Sequence, residues 1–417
     1  MTLNVATPPS LTSPLNTPIE AHIRKAIEDA GGWLAFDRFM EMALYTPHMG
    51  YYANDSRKFG AMPAGVTVGG EDSGGDFVTA PEMSPHFGRA LAAQVQEALQ
   101  HSSTREVWEF GAGSGALAEQ LLLALGDAVE RYTIVDLSGS LRELQRTRLS
   151  VFAGKVRWVT ELPSQMKGVV VGNEVLDAMP VKLLARLKGV WHERGVGLAP
   201  TLVASRTALP PEGTVPPKGG LSAELAHTSD IFAYFDRPTD LRPPVEALGE
   251  HDYVTEIHQQ AEGFVRTLAD RLKAGGGGAA IFIDYGFPEL EYYHPQRSMG
   301  TVMCHRAHLA DPDALADVGS KDITAHVNFT GIALAGQEAG LRVAGYASQG
   351  RFLLNCGLVD GLENVSLSER VMVQRLVNEH EMGELFKVIA FEAGESKSSA
   401  APWVPLGFAT GDRMHTL

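Results

Sequence analysis

A carboxylate and three glycines in one short run are the first residues of this chain that could do chemistry. In Val107-Trp108-Glu109-Phe110-Gly111-Ala112-Gly113-Ser114-Gly115 an apolar strand passes into a helix. Glycines at such a junction permit a tight turn and close approach of a ligand to the backbone, and the helix start offers free N–H groups. Asp136 ends the next apolar run, about 20 residues on, where an acid can accept hydrogen bonds from both hydroxyls of a ribose. Gly111, Gly113 and Ala116 also satisfy the dinucleotide pattern GxGxxA, so the glycines alone leave two nucleotides open. Glu109 tilts the choice. A carboxylate two residues ahead of Gly111 is unfavourable beside a pyrophosphate and suits the cationic ammonium end of S-adenosylmethionine. A cap or a salt bridge is its structural alternative.

The second informative run is Val169-Val170-Val171-Gly172-Asn173-Glu174-Val175-Leu176-Asp177-Ala178-Met179-Pro180. Its apolar strand delivers Asn173 and Glu174 at the carboxyl end, the edge where open α/β sheets bind ligands. A helical turn after it would put Glu174 and Asp177 on one face. Methyl transfer is an in-line displacement, so a protein serves it mainly by aligning the nucleophile and removing water. A guanidinium acceptor stays protonated in ordinary surroundings. Two carboxylates could clamp it by bidentate bonds and take its proton as charge leaves the nitrogen. Asn173, Glu174 and Asp177 are therefore the candidate catalytic residues. A helix cap and a solvated acid are the plainer reading of the pair.

These residues need a scaffold, and the pattern around them is α/β. Strands are expected at Val107–Phe110, Tyr132–Val135, Val156–Val159, Val169–Val171 and Ala279–Asp284, with helices from Ser114, at Leu141–Leu149 and at Val254–Lys273. Alternation of this kind predicts a parallel sheet covered on both faces. Upstream, two short helices broken at Gly31-Gly32 and an amphipathic helix at Pro85–Leu99 form an N-terminal extension. Downstream, a helix at Gly331–Ala339 and strands near Arg342–Ala347 and Arg351–Leu354 close the domain. The divisions expected are a flexible tail (1–18), a helical extension with a lid-like segment (19–100), the first part of the catalytic domain (101–194), a proline-rich insertion (195–250) and its remainder (251–417). Residues 60–75 are glycine-rich and 287–328 irregular.

Bulk composition narrows the class further. The 35 basic and 50 acidic residues give a formal charge of -15, without a basic cluster, which disfavours nucleic acid and anionic membranes and is compatible with a cationic substrate. Cys304 and Cys356 have neither disulfide-framework nor zinc spacing, so a reducing, cytoplasmic setting is expected. No apolar run is long enough to span a membrane, and the start of the chain has neither the basic nor the apolar part of a signal peptide. His305, His308 and His326 are spaced irregularly, and no metal is expected.

The combination of Gly75-Asp76-Phe77-Val78-Thr79-Ala80-Pro81-Glu82, the Glu109–Gly115 turn, Asn173-Glu174 with Asp177-Ala178, Asp284-Tyr285-Gly286 and Asp322-Ile323-Thr324-Ala325-His326-Val327 resembles the MidA family of methyltransferases. The resemblance runs from about Ile19 to Gly357. It implies a class I (Rossmann-like) seven-stranded methyltransferase sheet with an N-terminal helical extension and an inserted subdomain. Its mitochondrial members are arginine methyltransferases acting in assembly of respiratory complex I, so a protein client carrying the acceptor arginine is implied. The motifs direct Thr79 and Pro81 to the cofactor, beside Glu109, Gly111, Gly113, Gly115, Asp136 and Asn173. They direct Asp76, Glu82, Asp284, Tyr285 and His326 to the substrate. Asp136 stands where the family more often has Glu, residues 60–74 look longer than its usual link, and Glu119-Gln120 replaces an expected acid. Two rivals remain: a nicotinamide-dependent oxidoreductase, and an assembly chaperone that keeps the fold without turnover.

Overall fold

The computed structural model describes residues 17–54, 79–202, 228–245, 249–306, 309–394 and 402–417. Asp76, His308, the 60–74 link and nearly all of the expected tail lie outside them.

The central sheet contains β1 (Glu106–Phe110), β2 (Arg131–Val135), β3 (Val156–Val159), β4 (Gly168–Asn173), β5 (Gly278–Phe287), β6 (Arg342–Ser348) and β7 (Phe386–Ala393). Their spatial order is β6-β7-β5-β4-β1-β2-β3, and the short strand Val327–Asn328 adds an eighth beside the end of β5. Strands β1 to β5 pair in parallel, while β7 runs antiparallel to both β5 and β6. Val169, Val170 and Val171 of β4 and the Ala279–Ile283 run of β5 are all buried, as a parallel sheet covered on both sides requires. The chain winds outward from β1 through β2 to β3, then returns to β4 on the other side. That reversal opens a crevice at the carboxyl ends of β1 and β4.

Helices cover both faces. One core joins the sheet to α3 (Pro85–His101) and α4 (Ala116–Leu125), and the opposite core joins it to α6 (Gln259–Ala274) and α7 (Phe329–Glu338). Between α4 and α6 lies α5 (Gly139–Arg148), which follows β2. A second, antiparallel sheet joins Lys182–Leu187, Val190–Leu202, Thr228–Pro238 and Tyr253–Ile257 to Leu34–Ala35 from the N-terminal segment. It packs on helices α1 (Pro18–Asp29) and α2 (Phe36–Tyr45) around Phe36, Phe39 and Phe232. A third, small sheet is formed by Met303–Arg306, Leu309–Asp311 and Asp322–Thr324.

Three sequence expectations need correction. The helix expected over Val254–Lys273 begins only at Gln259, because Tyr253–Ile257 pairs with Lys182–Arg186; its β-branched Val254, Thr255 and Ile257 suit a strand. Arg351–Leu354 is not a strand but part of helix Gln349–Asn355, burying Phe352 and Leu353, and the closing strand is Phe386–Ala393. A four-residue apolar run does not distinguish the two conformations by periodicity. The antiparallel excursion starts at Lys182, ahead of the proline-rich composition change at 195.

Phe39 is fully buried, with its ring 5.7 Å from Phe232 and 6.0 Å from Phe36. Phe39→Ala is expected to cost about 3–5 kcal/mol in urea unfolding. A loss under about 1 kcal/mol would show that the N-terminal helices are not a packed part of the fold.

Candidate active site

The turn after β1 takes Gly111, Gly113 and Gly115 through φ of +61°, +53° and +83°, a left-handed series that L side chains resist. A Cβ at Gly111 would also lie 3.2 Å from Cγ2 of Val175. Glu109, at the end of β1, is 2% exposed, and the Tyr132 hydroxyl donates to its Oε2 at 2.7 Å. Burial pushes its carboxyl up to about 8, with a further push from Asp136 and partial relief from Tyr132. A cation entering beside Glu109 would reverse that penalty, which is the property an ammonium-binding group needs. Asp136 follows β2 with its carboxylate oriented from two directions: Ser138 N donates to Oδ1 at 2.8 Å, and Gln145 Nε2 to Oδ2 at 2.8 Å.

At the end of β4, Asn173 Nδ2 donates to Glu174 Oε1 at 2.9 Å, and Glu174 occupies φ +54°. The expected helical turn is absent. Instead the N–H groups of Val175, Leu176 and Asp177 converge on Asp284 Oδ2 at 3.1, 2.9 and 3.2 Å. Tyr285 N donates to the other oxygen at 2.9 Å. Asp284 therefore does not line the cavity as expected of a substrate ligand; it is buried beneath the turn and shapes it. Burial raises the carboxyl of Glu174 to about 8 and that of Asp177 to about 6, Asp177 adding to the push on Glu174. Tyr285 donates to Asp177 and restrains its rise.

Thr79 and Pro81 line the same cavity, and the Ala80 N–H reaches Glu174. Gln120, on α4, holds this segment by donating to the Pro81 carbonyl at 2.7 Å and accepting from Gly88 N at 3.0 Å. Glu82 is drawn to the glycine turn, where Ser114 Oγ donates to it and Arg148 Nη1 lies at 3.2 Å. It thus lines the cavity beside the glycine turn. His326 stacks on Phe287 at 5.3 Å and meets the Tyr285 ring edge-on at 5.1 Å. Burial, aided by Arg297, pushes its imidazole down to about 4.

Sequence reasoning missed several wall residues. Tyr52 donates to Asp322 Oδ2 at 2.7 Å, its ring stacks on Tyr45 at 5.6 Å, and Tyr45 donates to the Ala178 carbonyl at 2.8 Å. The Asp322 motif was visible, but 270 residues separate Tyr52 from Asp322, and nothing in the spacing joins them.

These groups surround a cavity of about 1760 Å³, room for a nucleoside and a second ligand. Eight Asp or Glu side chains line it against two Arg, Arg142 and Arg297, and no Lys. Among the described residues, Asn173 Oδ1 and Asp177 Oδ1 are buried acceptors without a protein donor. The cavity is built for cationic, hydrogen-donating ligands. Glycine turn, buried Glu109 and oriented Asp136 together fit the amino-acid and ribose parts of S-adenosylmethionine.

Burial and the acids at Asp177 and Glu174 hold the Asp284 carboxyl well above the usual carboxylate range. Asp284→Asn, which keeps an acceptor oxygen, is expected to cost less than about 1.5 kcal/mol in thermal or urea unfolding. Asp284→Ala strands four N–H groups and is expected to cost about 3 kcal/mol or more. Equal losses in both variants would refute the role of Asp284 as an acceptor for the turn.

Residues 88–347 match the model of a family of S-adenosyl-L-methionine-dependent methyltransferases. The mitochondrial protein arginine methyltransferase NDUFAF7 of Danio rerio is 24% identical, over 90% of this chain and 87% of its own length. The Homo sapiens protein of that name is 25% identical, over 90% and 83%. A Burkholderia thailandensis protein solved with bound S-adenosyl-homocysteine is 43% identical, covers 97% of this chain and 100% of its own, and superposes with a TM-score of 0.80. The glycine pattern that left a dinucleotide open is thereby settled in favour of S-adenosylmethionine. The chain belongs to the MidA-like family of S-adenosylmethionine-dependent methyltransferases, with S-adenosylmethionine as its cofactor.

Proposed function

We propose that the methyl acceptor is an arginine side chain of a protein client. The observation that carries this reading is the carboxyl cluster at the acceptor end of the cavity: Glu174, Asp177 and Asp322, with the Tyr45, Tyr52 and Tyr285 hydroxyls around them. A guanidinium offers five N–H donors in a plane, and facing carboxylates can hold that plane while turning one nitrogen toward the cofactor. The arginine methyltransferases of zebrafish and human, at 24% and 25% identity, support the same acceptor.

When bound, S-adenosylmethionine supplies a methyl group on a positively charged sulfur, which leaves as a neutral thioether. The chain's residues provide alignment and a proton acceptor. Asn173 keeps Glu174 in place, Tyr285 keeps Asp177 in place, and the Thr79–Pro81 segment closes on the carboxyl end of β4. As the new N–CH₃ bond forms, a guanidinium nitrogen loses its N–H proton, and Glu174 is the group placed to take it. With its carboxyl raised to about 8, Glu174 is a far better proton acceptor than an exposed glutamate.

The family resemblance supports a respiratory NADH dehydrogenase subunit as the client, and the isolated Cys304 and Cys356 support a reducing, cytoplasmic site of action. Tritiated methyl transfer into an extract lacking this protein is expected to label arginine, and Gly113→Val to abolish the label by filling the cofactor turn. Label on lysine or on a small molecule would refute the acceptor. Cofactor binding without any transfer would favour an assembly role that keeps the fold without turnover.

The raised carboxyls also set a pH dependence. Glu174 and Asp177 must be ionised to clamp the cation, so kcat/KM for the acceptor, measured at saturating S-adenosylmethionine where Glu109 already faces its cation, is expected to rise with pH through about 6 to about 8. Glu174→Gln is expected to lower kcat by roughly 10²- to 10⁴-fold and to remove the upper part of that rise. An unchanged profile in Glu174→Gln would exclude it as the titrating base.

A further inference from the structure

Helix α5 is polar along its length, and Gln145 is its one buried side chain, fully shielded from solvent. Its amide lies between the two halves of the nucleoside side of the cavity. Nε2 donates to the Gly113 carbonyl at 2.9 Å and to Asp136 Oδ2 at 2.8 Å, while Oε1 accepts from Trp158 Nε1 at 2.9 Å. The indole fixes the direction of the amide. Reversing it would set an N–H against an N–H at Trp158 and an oxygen against the Asp136 carboxylate. Ser138 N holds the other carboxylate oxygen, so the plane of Asp136 is defined from two sides.

We infer that Gln145 is a positioning residue for the cofactor's ribose: it locks the Asp136 carboxylate and the Gly113 backbone in one relative geometry. The inference rests on Asp136 being the ribose partner. Without Gln145 the carboxylate loses one of its donors in a buried place, so ribose recognition should weaken while the acceptor end of the site is untouched.

The test measures binding of S-adenosylhomocysteine and its 2′-deoxy analogue to the full chain by calorimetry. The parent protein is expected to prefer the ribose form roughly tenfold to hundredfold, the range for one hydrogen bond to a charged group. Asp136→Ala is expected to bring that preference close to one. Gln145→Leu is expected to reduce it to within about threefold. Should Asp136→Ala keep the preference, the ribose role of Asp136 fails and the inference falls with it. Preference lost in Asp136→Ala but kept in Gln145→Leu overturns the role of Gln145 alone. Equal weakening of both ligands in Gln145→Leu does the same, since that is what loosened packing produces. Gln145→Glu provides a second arm, including where the leucine variant does not fold. Protonated, it can donate to Asp136, so the preference should return as pH falls from about 8 to about 6. A pH-independent preference in this variant also overturns the proposal.

Discussion

The reactive half of the cavity depends on one buried acceptor, Asp284 Oδ2, and the three N–H groups that converge on it. In the β4–β5 ladder Asn173 pairs with Ile283, so Asp284 lies one residue beyond the last pair, directly beneath the turn. Glu174 N adds a bond to the Ile283 carbonyl at 2.9 Å. Those contacts hold Glu174 at φ +54°, a conformation a glutamate adopts only when its surroundings enforce it. The same turn presses Val175 toward Gly111, where a Cβ would meet it at 3.2 Å. Acceptor side and cofactor side are thus two walls of one packed junction. A register slip of one residue between β4 and β5 would move the whole cluster to the wrong face.

Burying acids this densely is costly, and the cost shows in their proton affinities. Glu109 and Glu174 are each raised to about 8, chiefly by loss of water. Buried carboxyls without cationic partners retain protons, and a cation returns them to the charged form. Structural ion pairs elsewhere in the molecule behave differently. Glu392 is held below its ordinary range by His101 and Arg342 despite its burial, and Arg342 lies 2.6 Å from it. The contrast separates acids whose partner belongs to the fold from acids whose partner has to arrive.

Much of this was legible in the chain. The glycine turn, Asp136 and the Asn173–Glu174 strand end are local patterns, each set by two or three neighbouring residues, and the structure places them around one cavity. Asp284 was legible as a strand end but not in its role: no spacing reveals that the backbone of residues 175–177 turns toward it rather than into a helix. Gln145 looked like any polar residue of a surface helix, since its burial comes from Trp158 and Gly113 on other segments. The strand Tyr253–Ile257 was hidden by an adjoining helix whose apolar residues continue into it without a break. What failed to be legible were pairings across long separations, which depend on tertiary packing rather than on local preference.

The excess of acids also follows from what has to meet in the cavity. On the proposed acceptor, a guanidinium and a sulfonium must approach to bonding distance, and two like charges in a poorly hydrated site repel strongly. One carboxylate could neutralise one of them. Holding both requires acids on each side, which is how Glu109 and Asp136 are divided from Glu174, Asp177 and Asp322 by the junction of Gly111 and Val175. Transfer then removes one positive charge: the sulfur becomes neutral, the methylated guanidinium keeps its charge, and one proton remains. Glu174, buried and pushed upward by its neighbour Asp177, is the carboxyl that takes that proton as the sulfonium charge disappears. Once protonated it is a weaker partner for the product cation, so the group that takes the proton also loosens the grip on the product.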